Sequence, residues 1–253
     1  MKDAHLLELA VTAAEKACLE ILTVYNSDDF EVGAKGDNSP LTKADRRAHE
    51  VIAATLAESN YPVLSEEGLD IPFSERKDWP YFWMVDPLDG TKEFVRRNDE
   101  FTVNIALIHN GRPILGVVAV PVTGDVYFAA SGKGATVRRQ GKDFSLPGRS
   151  PIDLSASGLR VVASRSHMST PTENFINGLE GAVLVSAGSS LKFMLVAEGK
   201  ADLYPRFAPT MEWDTAAAHV IVNETGLKVY REGADDELQY NKEDLRNPGF
   251  MVR

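Results

Sequence analysis

Trp83-Met84-Val85-Asp86-Pro87-Leu88-Asp89-Gly90-Thr91-Lys92-Glu93-Phe94 is the stretch on which the reading of this 253-residue chain turns. The apolar run from Tyr81 to Val85 has the character of a buried strand, and it runs into two carboxylates followed by a Gly-Thr turn. Buried strands normally end in neutral turn residues, because an ionised carboxylate resists leaving water. Two carboxylates ~4 Å apart repel by ~4 kcal/mol at an effective dielectric near 20. A hard cation between them relieves that repulsion, and Mg²⁺ takes oxygen ligands of this kind. Pro87 fixes its own φ and restricts Asp86, while Gly90 lets the backbone turn tightly or approach a ligand closely. Taken alone, the segment is also compatible with an exposed Asp-rich turn.

Working outward, Leu7, Ala10, Ala14, Ala17, Ile21 and Val24 alternate steps of three and four, which predicts an amphipathic helix. A second helix is expected from about Lys43 to Ser59, with Ala48, Val51, Ile52 and Leu56 inward. Tyr61 to Leu64 reads as a short strand delivering Ser65-Glu66-Glu67-Gly68, and residues 69 to 80 as loop. Strands are predicted over Phe101 to Ile108, Pro113 to Val122 and Asp125 to Ala129. The first alternates as a half-buried strand should. Asn110-Gly111 and Thr123-Gly124 are hairpin-type connections. Residues 131 to 158, rich in Gly, Lys, Arg and Ser, suggest a boundary near 150, dividing the chain into 1–150 and 151–253. The second part alternates: strands at Leu159 to Ala163, Ala182 to Ser186 and Ala201 to Tyr204, helices at Thr172 to Gly178, Ser190 to Glu198 and Thr215 to Glu224. That pattern predicts a sheet covered by helices.

Composition narrows the function. Lys and Arg number 27 against 37 Asp and Glu, a net charge of −10. Polymeric nucleic acid needs basic patches for counterion release, so it is not an expected partner. A small anionic substrate is compatible, since bound metal inverts the local field. One cysteine, Cys18, excludes an internal disulfide and disfavours a thiolate zinc site. Charged residues in the first turns leave no secretory signal, and no apolar run approaches a membrane span. A cytoplasmic protein without integral membrane association is expected.

Four acidic positions share one context, the end of an apolar run or the start of a helix: Asp45, Glu66, the Asp86/Asp89 pair, and Asp214. Read singly, Asp214 is a helix cap, Asp45 a surface residue and Glu66 a solvated one. The five histidines offer no pair at helical metal-ligand spacing, and neither a G-x-S-x-G elbow nor a P-loop occurs.

Together, Ser65-Glu66-Glu67, Asp86 to Thr91 and Trp213-Asp214-Thr215-Ala216-Ala217 resemble the inositol monophosphatase superfamily of Mg²⁺-dependent, Li⁺-sensitive phosphatases. The likeness extends over essentially the whole chain. Lys35 to Asp45, Thr91-Lys92-Glu93-Phe94, Gly188 to Phe193, Tyr204-Pro205-Arg206-Phe207 and Asn247-Pro248-Gly249-Phe250 are similar to its 3'(2'),5'-bisphosphate nucleotidase branch. The resemblance implies an α+β fold, a layered α/β/α/β/α sandwich. By motif, it implies that Glu66, Asp86 and the Leu88 carbonyl hold one Mg²⁺, and that Asp86, Asp89 and Asp214 hold a second. Some members carry a third, weaker ion near Glu66. Thr91 and Asp45 then correspond to the pair that positions and deprotonates the attacking water, with Glu66 beside them.

The implied reaction is hydrolysis of adenosine 3',5'-bisphosphate to AMP and phosphate, and of 3'-phosphoadenylyl sulfate to adenylyl sulfate, within sulfur assimilation. Substrate contacts fall to Glu66, Leu88, Asp89, Gly90, Thr91 and Asp214 around the phosphate, and to His167, Ser189, Lys192 and Arg206 beyond it. Bacterial relatives of this kind have been placed peripherally at the inner membrane. An inositol or sugar monophosphatase with the same metal site is the nearest alternative, and a non-catalytic nucleotide- or metal-binding regulator the alternative from another class. Intact carboxylates at all these positions argue against the last.

Overall fold

The segment quoted first lies in a seven-stranded sheet whose order follows the chain: β1 (Val63–Ser65), β2 (Tyr81–Asp89), β3 (Thr102–His109), β4 (Arg112–Val120), β5 (Asp125–Ala130), β6 (Ala135–Arg139) and β7 (Lys142–Ser145). Only β1 and β2 pair in parallel; the other neighbours are antiparallel. The structure, a computed structural model, describes residues 2–27, 33–34, 40–164 and 168–253.

Two helices, α1 (Lys2–Tyr25) and α2 (Lys43–Leu56), cover one face of the sheet. Ala10, Ala14 and Ala17 keep α1 close to its neighbours, and Ile21, Ile52 and Leu56 fill the space beside Trp83, Val85, Ile105 and Val117. The expected half-buried character of β3 is corrected here: it is buried on both faces. Val103, Ile105 and Leu107 meet α1 and α2, while Ala106 and Ile108 join the core on the opposite side. Beyond β2 the chain turns through Gly90 into the short helix α3 (Thr91–Val95).

The opposite face carries a second set of layers. Strands Arg160–Ala163 and Val183–Ser186 pair in parallel, and a Val161–Leu203 bridge joins them to the antiparallel set Tyr204–Arg206, Phe250–Val252 and Val229–Arg231. Helix α4 (Thr170–Asn177) covers the outer side, packing Ile176 with Leu159, Val161, Ala163 and Leu203. Between the two sheets lie α5 (Leu191–Ala197) and α6 (Ala216–Glu224), whose Val196, Ala217, Val220 and Ile221 share a core with Met84, Ala106 and Val118. This gives the five alternating layers expected. Gly116 on β4 sets the clearance, for a Cβ there would stand 2.1 Å from the Ala217 carbonyl oxygen.

Several elements differ from expectation. Residues 131 to 158, where no strand is expected from the sequence, contain β6 and β7 around Gln140-Gly141, both at positive φ (51° and 72°). Because β7 is exposed along its length, it lacks the apolar alternation that announces a strand. A helical turn, Phe73–Arg76, interrupts the expected loop, and the strand expected at Ala201 to Tyr204 is Tyr204–Arg206. No described helix is long and apolar enough to cross a membrane.

Candidate active site

The end of β2 is irregular. Its pairing with β3 is regular from Tyr81 to Asp86, shifts, and resumes with Asp89 opposite Thr102. Pro87 cannot donate a ladder hydrogen bond, which suits it to this break. Asp86 and Asp89 therefore leave the sheet at adjacent points. Asp214 reaches them from a short 3₁₀ turn, Glu212–Asp214, just before α6. One oxygen from each of Asp86, Asp89 and Asp214 lies within 4.8 Å of the others.

Each carboxylate is held from behind. Asp86 Oδ1 accepts from the Leu88 N–H at 3.0 Å, and Asp214 Oδ2 from the Met211 N–H at 2.8 Å. Asp214 thus closes its own turn and does not cap α6, where Thr215 occupies the capping position. Asp89 Oδ2 accepts from the hydroxyls of Ser189 at 2.7 Å and Ser190 at 3.1 Å, with Asn104 Nδ2 at 3.4 Å. Burial first, and then the charges of Asp89 and Glu66, push the Asp214 carboxyl well above the usual carboxylate range. Such crowding, with oxygen donors only, fits a hard divalent cation. Glu66 enters from the adjacent strand, its N–H bonded to the Val85 carbonyl at 3.1 Å. It stands outside the tight trio.

Asp45 and Thr91, 46 residues apart, meet at 3.0 Å, the Thr91 hydroxyl donating to Asp45 Oδ1. The local folding of α2 explains the aim. Thr42 caps the helix, and Asp45 Oδ2 accepts both the Thr42 N–H at 2.7 Å and its hydroxyl at 2.5 Å. This reciprocal cap leaves Oδ1 for Thr91. Thr91 also approaches the Leu88 carbonyl at 3.3 Å. Gly90 takes a left-handed φ of 94°, and a Cβ would crowd the Glu100 carbonyl at 3.1 Å, so only glycine makes this turn without strain.

A cleft opens from Asp89 and Asp214, lined also by Gly90, Ser189, Lys192 and Arg206. Lys192 is buried, and its ammonium donates to the Ser189 carbonyl at 2.8 Å and the Ala187 carbonyl at 3.4 Å. It therefore braces the 187–190 loop, and burial lowers its pKa to about 8. Ser189 adopts a φ of 50°, unusual for a residue with a side chain, which turns its hydroxyl onto Asp89. His167, expected as a substrate contact, lies outside the described residues, as do residues 35–39 of the upstream motif.

Sequence reading missed the polar supports. The Thr102 hydroxyl lies 2.6 Å from that of Ser189, and Asn104 Nδ2 donates to Ser190 Oγ at 3.0 Å. Polar residues alternating within Phe101-Thr102-Val103-Asn104-Ile105 were the available signal. A second support is wholly buried: Glu212 accepts from the N–H groups of Asn241 at 2.6 Å and Lys242 at 3.0 Å and from Lys242 Nζ at 2.5 Å. Arg76 clamps the same segment, donating to Asn241 Oδ1 at 2.8 Å and the Lys242 carbonyl at 2.7 Å. Nothing in the local sequence signals this pairing, because its partners lie some 165 residues apart.

Comparison with known proteins yields one family and a consistent set of relatives. Residues 2–246 match the inositol monophosphatase family. The chain is 45% identical to the 3'(2'),5'-bisphosphate nucleotidase CysQ of Escherichia coli K12, covering 98% of this chain and 99% of the relative. The crystal structure of CysQ from Bacteroides thetaiotaomicron superposes with a TM-score of 0.85 at 48% identity, covering 98% and 96% of the two chains. Inositol monophosphatase from Anabaena, at 24% identity, shares the fold with a TM-score of 0.75, covering 100% and 91%.

Proposed function

This chain belongs to the inositol monophosphatase family, a family of metal-dependent phosphatases, and from that premise we propose a magnesium-dependent 3'(2'),5'-bisphosphate nucleotidase. Its substrate is adenosine 3',5'-bisphosphate, cleaved to AMP and phosphate, with 3'-phosphoadenylyl sulfate as a second substrate of the same shape. Such a reaction clears the by-product of sulfonate transfer in the cytoplasm. The observation that carries this reading is the carboxylate trio within 4.8 Å, next to the 3.0 Å Thr91–Asp45 contact, in a chain so similar to CysQ.

Asp86, Asp89 and Asp214, with Glu66 and the Leu88 carbonyl at the margin, would hold magnesium, in two or three positions. Bound there, the metal supplies positive charge against the phosphoryl oxygens and lowers the pKa of water. The Thr91 hydroxyl donates a hydrogen bond to Asp45 Oδ1, which leaves its oxygen lone pairs to accept a hydrogen bond from the attacking water. Asp45 then receives the proton through that hydroxyl, a relay of the kind that contributes ~10²–10⁴-fold. Ser189 and Ser190 keep Asp89 aimed. Arg206 meets the anionic group remote from the reacting phosphate, and Lys192 keeps the intervening loop in place.

Phosphate release from adenosine 3',5'-bisphosphate, inositol 1-phosphate and fructose 1,6-bisphosphate, with and without Mg²⁺, tests the reading. The nucleotide should give the highest kcat/KM, and only with metal. Equal or faster turnover of inositol 1-phosphate would exclude a nucleotidase while leaving a phosphatase.

A further inference from the structure

Glu93 faces the cleft from α3, two residues beyond Thr91, and is half-buried there. Among the described residues its carboxylate makes no hydrogen bond or ion pair, and its charge acts at longer range on the buried Lys192 ammonium. The neighbouring charged groups differ: Asp89 has its serines, Asp214 the Met211 N–H, and Lys192 two carbonyls. The position of Glu93 is also constrained. A Cβ on Gly188 would stand 3.1 Å from Glu93 Cγ and 2.8 Å from the Glu100 carbonyl oxygen, so the 187–190 loop packs directly against the Glu93 stem. The next residue, Ser189, is bonded to Asp89. The loop residues Gly188 and Ser189 therefore connect the Glu93 stem to Asp89.

A carboxylate in that place repels any phosphate oxygen near it. It suits a neutral donor carried by the substrate close to the scissile ester. Resting on the nucleotidase reading, we propose that Glu93 accepts a hydrogen bond from the ribose hydroxyl vicinal to the scissile phosphate. In a 3'-phosphate this is the 2'-hydroxyl, and in a 2'-phosphate the 3'-hydroxyl, so one acceptor serves both isomers. Glu93 is then a specificity residue that distinguishes ribonucleotides from deoxyribonucleotides. A deoxy substrate leaves its carboxylate without a hydrogen-bond donor, and hydrogen bonds to charged groups are among the stronger ones.

The test compares adenosine 3',5'-bisphosphate with 2'-deoxyadenosine 3',5'-bisphosphate for wild type, Glu93→Gln and Glu93→Ala, with circular dichroism confirming the fold. Wild type should prefer the ribonucleotide by roughly 10- to 100-fold in kcat/KM, the range of one charge-assisted hydrogen bond. Glu93→Ala should lose that preference by slowing the ribonucleotide alone. Glu93→Gln, which keeps an acceptor without the charge, should retain an intermediate preference. Equal losses on both substrates would mean a structural role, and no discrimination by wild type would mean no such contact; either overturns the proposal. A wild type that cleaves inositol 1-phosphate but neither bisphosphate would instead remove the nucleotidase reading, and this assignment with it.

Discussion

The carboxylates of the site come from two kinds of support. Asp86 and Asp89 leave the end of a strand paired along both edges, with helices packed on both faces. Asp214, Ser189 and Ser190 come from turns ahead of short helices, and their positions depend on a few side-chain and turn contacts, among them those to Thr102, Asn104 and Met211. Backbone pairing is distributed over many bonds, so a sheet-borne ligand keeps its place when one neighbour is lost. A turn-borne ligand does not. The two supports should therefore fail in different ways: one by losing chemistry, the other by losing affinity.

The largest effect is expected at Asp89. Asp89→Asn should reduce turnover to background while leaving metal-free thermal stability unchanged or slightly raised, because a repelling charge is gone and the strand is intact. Activity within tenfold of wild type at saturating Mg²⁺ would remove the metal assignment; thermal melts with chelator report the fold. Thr91→Ala comes next, and kcat should fall by ~10²–10⁴-fold with KM changed far less. A pure KM effect would make Thr91 a phosphate contact without a relay to Asp45.

On the turn side, Glu212→Gln leaves every proposed ligand in place but weakens the buried brace beneath Asp214. Magnesium binding measured by calorimetry without substrate should weaken by roughly 10-fold, in the range found for groups that orient metal ligands. Excess metal should restore most of kcat. If kcat stayed low at saturation, the distinction between the two supports would not hold.

The smallest expected effect concerns pH. His219 is buried against Tyr240 and Glu237, and burial lowers its pKa from the ordinary 6.5. Below pH ~6.5 the unfolded chain takes up a proton that the folded chain refuses, so stability falls as pH drops. The raised carboxyls of Asp214 and Glu212 act in the opposite sense but are common to both proteins, so from pH ~7.5 to ~5.5 metal-free wild type should lose more, or gain less, melting temperature than His219→Gln. His49, whose pKa burial also lowers, leaves a residual slope in the variant. Parallel curves would mean His219 is protonated in the fold.

Much of this was legible from residue order. The period of Leu7 to Val24, the run before Asp86 and the alternation of strands and helices after Leu159 each report a local rule, and local rules survive folding. The proposed metal ligands were legible for another reason: carboxylates ending an apolar run are costly without a cation, whatever surrounds them. What was lost shares one property. The exposure of β7 removed its pattern, the ammonium of Lys192 turned to carbonyls of its own loop, and Arg76 found Asn241 across most of the chain. Partner choice among polar groups is decided by tertiary approach, and sequence spacing does not encode it.

Gly116 has a consequence for anyone altering this protein. It carries no polar side chain and stands outside the cleft, yet the space above it admits α6 only while it lacks a methyl group. A mutational scan of the chain would record a severe activity defect there, and an observer ranking positions by sensitivity would place it beside the carboxylates. The defect would report a displaced α6, which begins two residues after Asp214. Sensitivity at such a position measures a clearance between layers, and a companion substitution trimming Ala217 would not relieve it, because the obstruction is a backbone carbonyl.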